Sequence, residues 1–177
     1  MIWNRWIRIL TKPYFALYQR IWPVKYAKKI GVNVGENCHF YGKIEWGTEP
    51  WLITIGNNVH ITNNCSFINH DGGTLIFRDQ IPDLEITKPI TVGDNVYIGT
   101  DVLILMGVNI GCNVVIGARS LVTKDIPEGS LAVGHPAKVI KSTEEYLEKL
   151  KKESLHLGHL KGKEKDIALR DYYHYKK

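Results

Sequence analysis

Seven histidines, His39, His60, His70, His135, His156, His159 and His174, are the side chains best suited to moving a proton near neutral pH. A positioned imidazole that takes a proton from an attacking group as the new bond forms typically contributes about 10²–10⁴-fold to a rate. Histidines also bind metals, but a catalytic zinc site needs three ligands, two of them close in sequence. His70 has no histidine within several residues on its C-terminal side, which disfavours that use. The three cysteines, Cys38, Cys65 and Cys112, show no CxxC spacing, so neither a zinc site nor a disulfide framework is expected.

What positions these residues is a repeat. Val92, Ile98, Ile104, Ile110, Ile116 and Val122 follow one another at every sixth position. Four places after the first five stand Val96, Val102, Val108, Val114 and Ser120, all small or β-branched. Ile55, Ile61 and Phe67 show the same frame, with Val59 and Cys65 in the small slot; Val34 and Phe40, with Cys38, make a third patch. A period of six is neither helical nor a simple alternation of strand faces. It fits a short strand followed by a tight turn of a third of a circle, so that three hexapeptides close one triangular coil. Apolar guide residues then fill the interior, and glycine or asparagine suits the turns. Stacked coils bury one continuous core, as in other solenoids. All three cysteines are expected in the small inward slot, as packing residues.

The frame slips twice. Neither the step from Val34 to Ile55 nor the step from Phe67 to Val92 is a multiple of six. Chain is therefore inserted near 46–52 and between about 69 and 89. The longer excursion carries Leu75-Ile76-Phe77, an apolar patch suited to docking against a neighbouring subunit. His39 and His60 take the sixth position of their hexapeptides and are expected to point outward. His70 stands where the chain leaves the repeat, and long excursions from a regular scaffold tend to carry function.

Composition sets the outer bounds. With 177 residues, 44% hydrophobic and 23% charged, the chain reads as one globular domain with short decorations. No apolar run reaches the roughly 20 residues that span a bilayer. Arg5, Arg8 and Lys12 interrupt what could be a signal sequence, so a cytoplasmic protein is expected. A net charge of +5 suits anionic partners: nucleic acid, a membrane surface or a phosphorylated cofactor. The basic residues cluster at the two ends without a nucleic-acid motif, which argues against nucleic acid. Residues 1–29 are basic and aromatic, with Trp3, Trp6, Ile7, Leu10, Phe15, Tyr18 and Trp22 at helical spacing around Pro13 and Pro23. Two short amphipathic helices are expected there, packed on the end of the main domain or touching a membrane surface peripherally. The repeat domain spans 30–141. Residues 142–177 follow, opening with Ser142 and Glu145 as a capping box for one helix and ending in a basic tail.

The run from Ile90 to Lys141, with Val122–Pro127 reading VTKDIP and Gly134–Ile140 reading GHPAKVI, resembles the end of the hexapeptide-repeat acetyltransferases. The closest look is to sugar O-acetyltransferases of the galactoside and maltose type and of surface-polysaccharide pathways. The resemblance is specific from about 55 to 141, looser from 30 to 54, and absent at both ends. It implies an all-β solenoid, a left-handed parallel β-helix, assembled as a homotrimer with acetyl-CoA in a groove between adjacent subunits. Thr100 in YIGT and Ala118 in IGAR match the small residues that contact the pantetheine arm, and their separation by three hexapeptides stacks them one coil apart. Thr123 and Lys124 match the adenine-side loop; Lys138 and Lys141 match basic residues facing the nucleotide phosphates. On spacing alone Thr100 and Ala118 read equally as turn residues, and the two lysines as solvated charges. Tyr97 stands where the family more often has tryptophan, and lysine replaces the frequent arginine at the phosphates.

The segment INHDGG resembles the one that carries the family's catalytic base, which makes His70 the expected general base. His135 lies in the GHPAK turn, where the family varies. Asn69 or Asp71 is expected to orient His70 or bind the acceptor, although Asp71 could equally start the turn into Gly72-Gly73. The implied reaction is direct acetyl transfer to a sugar hydroxyl, with no acyl-enzyme and no metal, and with backbone donors facing the oxyanion. An amino-sugar N-acetyltransferase is the near alternative. A metal-dependent hydratase of the γ-carbonic-anhydrase kind on the same fold is a more distant one.

Overall fold

The computed structural model describes residues 15–175, and it resolves the six-residue period into short parallel strands. The helical spacing over Trp3, Trp6, Ile7 and Leu10 lies outside the described residues. Residues 15–21 are helical, and helix α1 (Pro23–Lys29) follows, with Pro23 in its first turn where a missing N–H costs nothing.

Three sheets are then built in rotation. Strands β1 (Asn33–Val34), β4 (Ile53–Ile55), β7 (Ile90–Val92) and β10 (Asn109–Ile110) form the first face. The second face holds β2 (His39–Phe40), β5 (His60–Ile61), β8 (Tyr97–Ile98), β11 (Val115–Ile116), β13 (Ser130–Gly134) and β14 (Ala137–Ser142). The third holds β3 (Ile44–Glu45), β6 (Cys65–Ile68), β9 (Leu103–Leu105) and β12 (Leu121–Val122). Every pairing is parallel except β13 with β14, an antiparallel hairpin at the C-terminal end of the second face. The chain is thus a three-sided parallel β-solenoid. It advances one coil for every pass over the three faces.

The register gives the coil lengths directly. Val92 pairs with Ile110, three hexapeptides on, whereas Val34 pairs with Ile55 and Ile55 with Val92 across longer stretches of chain. Both frame slips are therefore insertions into single coils. The shorter runs from Trp46 to Leu52 and includes a 3-10 turn, Pro50–Leu52. The longer leaves after β6 as an antiparallel stem, in which Asp71 N–H donates to Ile86 O and Lys88 N–H to Asn69 O. A 3-10 helix, Gly72–Phe77, lies beyond the stem. Leu75, Ile76 and Phe77 are exposed at its end.

Inside, every guide residue from Val92 to Val122 is buried, and so are Val96, Val102, Val108, Val114 and Ser120. Each buried isoleucine or valine contributes about 1.5–3 kcal/mol relative to exposure, so the stacked column is the fold's main support. Trp46 and Phe67 stack at 5.0 Å between centroids within this core. The cysteines differ from expectation in one case. Cys65 is fully buried and its thiol donates to Gly99 O, and Cys38 donates to Gly56 O. Cys112 instead falls two places after its guide Ile110, at a turn, where its sulfur accepts from Asp94 N–H. It packs over Gly93, which leaves no room there for a side chain.

One corner carries a ladder of asparagines. Asn37, Asn58, Asn95 and Asn113 all have φ near +55°, a region that asparagine tolerates better than most residues. Their amides bond upward in series: Asn37 Nδ2 to Asn58 Oδ1, Asn58 to Asn95, Asn95 to Asn113, and Asn113 to Glu128. The N-terminal end of the solenoid is closed by α1, whose Ala27 is fully buried, and by Gln19 Nε2 donating to Ile44 O at 2.6 Å. A second unit, residues 144–177, contains most of helix α2 (Thr143–Glu153) and all of α3 (Gly162–Tyr172). Only one helix is expected from the sequence here. The second has no capping side chain and few apolar residues to mark it, and an Arg170–Asp166 ion pair spans one of its turns.

Candidate active site

His70 sits at the corner between the third and first faces, at the foot of the long excursion, where it bridges to Thr87. Its imidazole is about one-third exposed. Two residues of the short insertion meet it. Thr48 Oγ1 lies 3.1 Å from His70 Nδ1, and a Glu49 carboxylate oxygen lies 3.4 Å from the same nitrogen. The Thr48 hydroxyl donates to Glu49 at 2.6 Å, so its oxygen is left to accept. That arrangement calls for a proton on Nδ1 and leaves the lone pair on Nε2. Among the described residues Nε2 has no hydrogen-bond partner. A neutral imidazole held in this tautomer can accept a proton from a group placed before it.

Glu49 and Thr48 were not among the residues expected to orient His70. Asn69 and Asp71, which were, are occupied elsewhere. Asn69 is fully buried and donates to Glu49 O at 2.6 Å, so it fixes the backbone of the insertion. Its Oδ1 is buried without a partner among the described residues, and it lies so close to Gly47 that a Cβ there would be 2.6 Å away. Gly47 also has φ +69°, a second reason for glycine at that turn. Asp71 caps the 3-10 helix by accepting from Gly73 N–H, which is the turn-starting role. The signal for Glu49 was present in the sequence. Glu49 precedes His70 by the same number of positions that separates the paired residues Val34 and Ile55, one full turn of the lengthened first coil.

The remaining residues divide between corners. Thr100 and Ala118 follow β8 and β11 at the corner between the second and third faces. Arg119 N–H donates to Thr100 O at 2.7 Å, which stacks them one coil apart. Both are exposed, and the Thr100 hydroxyl donates to Thr62 on the coil beneath. A Cβ on Gly99 would lie 2.5 Å from Ala118 N, so the backbones of these two coils touch. Thr123 and Lys124, both exposed, follow β12 on His70's own corner, further toward the C-terminus. Lys138 and Lys141 lie on β14, paired with Val133 and Leu131. A face of about five residues spans roughly 15 Å, so within one chain His70 does not reach the Thr100–Ala118 column.

His39 and His60 point outward as expected and stack at 4.9 Å, with the Tyr41 hydroxyl 3.1 Å from His60 Nδ1. Burial, and then the nearby His39, push the His60 pKa below its ordinary value. Among the described residues no three His, Cys, Asp or Glu side chains gather as a metal site, and no helix is long and apolar enough to cross a membrane.

Comparison with known proteins adds the following. Residues 89–124 match the family described as the hexapeptide repeat of succinyl-transferase. Protein CapG of Staphylococcus aureus is 42% identical over 162 residues, which is 90% of this chain and 94% of CapG. The chain spans about half the length of other curated relatives, such as a Schizosaccharomyces pombe protein 41% identical over 121 residues, 68% of this chain and 54% of its own. A hexapeptide-repeat containing acetyltransferase from Vibrio cholerae has a solved structure that matches with a TM-score of 0.52 and 25% identity. The match covers 70% of this chain and 80% of that one.

Proposed function

The chain belongs to the hexapeptide-repeat acetyltransferases, and from that membership we propose that it transfers an acetyl group from acetyl-CoA to a sugar hydroxyl in surface-polysaccharide or glycoconjugate synthesis. His70 is the general base. The observation that carries this reading is the hydrogen-bond chain from Glu49 through Thr48 to His70 Nδ1, which fixes the imidazole with Nε2 free. The Vibrio cholerae acetyltransferase, also solved in complex with acetyl coenzyme A, supports the choice of donor.

In the transfer, the acceptor oxygen attacks the thioester carbonyl while Nε2 takes its proton. Glu49 stabilises the imidazolium that forms. Backbone amides at a coil corner hold the oxyanion, and collapse of the intermediate expels the CoA thiolate, which is protonated by the imidazolium. No acyl-enzyme is needed. An amine acceptor would use the same geometry.

The coils wind left-handed in this reading, as in the family. Thr100 and Ala118 carry the pantetheine arm, Thr123 and Lys124 the adenine side, and Lys138 and Lys141 the phosphates. The separation of His70 from the Thr100–Ala118 column supports a homotrimer. A threefold axis parallel to the solenoid sets each chain's His70 corner against its neighbour's cofactor corner and keeps equivalent coils level. The protein works in the cytoplasm.

The test is CoA release from acetyl-CoA against sugars, amino sugars and nucleotide sugars, with His70→Ala beside the wild type. Activity that survives the substitution removes His70 from the role. Absence of acetyl-CoA binding removes the proposal.

A further inference from the structure

A cavity of about 420 Å³ lies between the N-terminal helical residues and the solenoid, walled by Ala16, Gln19, Arg20, Gly42, Lys43 and Asn63. That volume is in the range of small-molecule sites. Its position follows from the register. Phe40 pairs with Ile61, Ile61 with Ile98 and Ile98 with Ile116. Two residues further along each strand, Gly42, Asn63, Thr100 and Ala118 therefore form one column on successive coils. The floor of the cavity is the continuation of the column assigned to pantetheine, toward the N-terminus. Asn63 stands one coil below Thr100, about 4.8 Å along the axis. It belongs to the same coil as His70, the one built from β4, β5 and β6. An acyl-pantetheine descending past Ala118 and Thr100 ends its thioester at this level, with the cavity immediately beyond.

The lining has a sign. Lys43 is ion-paired with Glu45. Arg20 has no acidic partner among the described residues, and the wall it stands on carries no acid, since the first acidic residue of the chain is Glu36. Asn63 Oδ1 accepts from Lys43 N–H, which leaves the Nδ2 donors unpartnered among the described residues. Gln19 is held by its bond to Ile44 O, so Arg20 is presented from an anchored turn. Gly42 has φ +111°, and a Cβ there would lie 2.3 Å from Asn63 Oδ1, so glycine lets the Asn63 side chain lie against the backbone of the coil beneath. A guanidinium without a counter-ion beside free amide donors is suited to a carboxylate or phosphate oxygen pair.

We infer that this cavity is the acceptor site and that it selects an acceptor bearing an anionic group, a carboxylate or a phosphate, bound by Arg20 and Asn63. The inference rests on the acetyltransferase reading above and adds the class of acceptor. The occupant is held by one chain while the attacking hydroxyl faces His70 of the adjoining copy.

The test uses the full-length protein saturated with CoA and three probes: galactose, galacturonate and galactose 6-phosphate. Binding is followed by calorimetry for wild type, Arg20→Gln and Arg20→Lys. At least one anionic sugar should bind about tenfold or more tightly than galactose. Arg20→Gln should erase that preference, Arg20→Lys should keep part of it, and melting temperature and CoA affinity should not change. Preference for galacturonate identifies a carboxylate acceptor; preference for galactose 6-phosphate identifies a phosphorylated one. Equal binding of all three sugars, no binding of any, or a preference that survives Arg20→Gln overturns the inference. Failure of the acetyltransferase reading is separate, because it appears as loss of CoA binding in the wild type.

Discussion

A Glu49 carboxylate oxygen lies 3.4 Å from Nδ1 of His70, and each residue comes from a different interruption of the repeat. The short insertion brings the carboxylate, and the long one begins with the imidazole. A carboxylate placed behind an imidazole fixes its tautomer and stabilises the cation formed when Nε2 takes a proton.

If His70 is the general base, removing it should cost most. His70→Ala is expected to lower kcat for CoA release by about 10²–10⁴-fold with acetyl-CoA affinity retained. Glu49→Gln keeps the shape but loses the charge, and should lower kcat by roughly 10–1,000-fold without raising the KM for acetyl-CoA. Wild-type kcat in Glu49→Gln would show that the pair is only structural.

The Thr100–Ala118 column should be sensitive to bulk. Ala118→Leu adds an exposed side chain and should change stability by no more than about 0.5 kcal/mol. If pantetheine runs along this column, acetyl-CoA affinity falls about tenfold or more. Unchanged affinity by calorimetry would place the cofactor elsewhere.

The asparagine ladder allows a backbone test. Asn95 has φ +56°, donates to Asn113 and accepts from Asn58. Asn95→Ala loses both side-chain bonds and keeps the disfavoured backbone, and should cost about 2–3 kcal/mol in urea unfolding. Asn95→Gly loses the bonds but relieves the backbone, and should recover about 1 kcal/mol of that. If both variants lose the same amount, backbone strain is not part of the cost.

Burial pushes the Cys65 thiol above its ordinary value of 9.0. The folded state then holds this proton more tightly than the unfolded chain does. Cys65's contribution to stability is complete below the ordinary value and is lost as pH rises through the folded one. The urea midpoint should fall as pH rises above the ordinary thiol value, and fall less in Cys65→Ala. An identical fall in both would assign the alkaline loss to other groups. In the native protein near neutral pH, Cys65 should stay unlabelled by thiol reagents until the chain unfolds.

Much of this arrangement was legible in the sequence, because the repeat writes its geometry in intervals. The guide residues Val92 to Val122 give the solenoid, and the three-hexapeptide interval stacks Thr100 on Ala118. The break after Phe67 pointed to His70. Its partner was harder to find, because Glu49 lies in the looser N-terminal coils, where only the lengthened interval from Val34 to Ile55 locates it. That the Asn69 side chain turns inward and holds the short insertion is not visible in the sequence. Cys112 stands two positions from the small inward slot, which Val114 fills. The second C-terminal helix left little trace, since a polar helix has no apolar stripe to read.

The coil lengths bear on how such a protein can change. With paired residues separated by three hexapeptides between Val92 and Val122, adding or deleting one whole coil there shifts everything above it by a single rung and leaves each side chain on its own corner. An insertion of any other length must bulge out of one coil, as the two in this chain do. The length of the solenoid can thus change in discrete steps of about 4.8 Å, and its loops by exchange, each without disturbing the other.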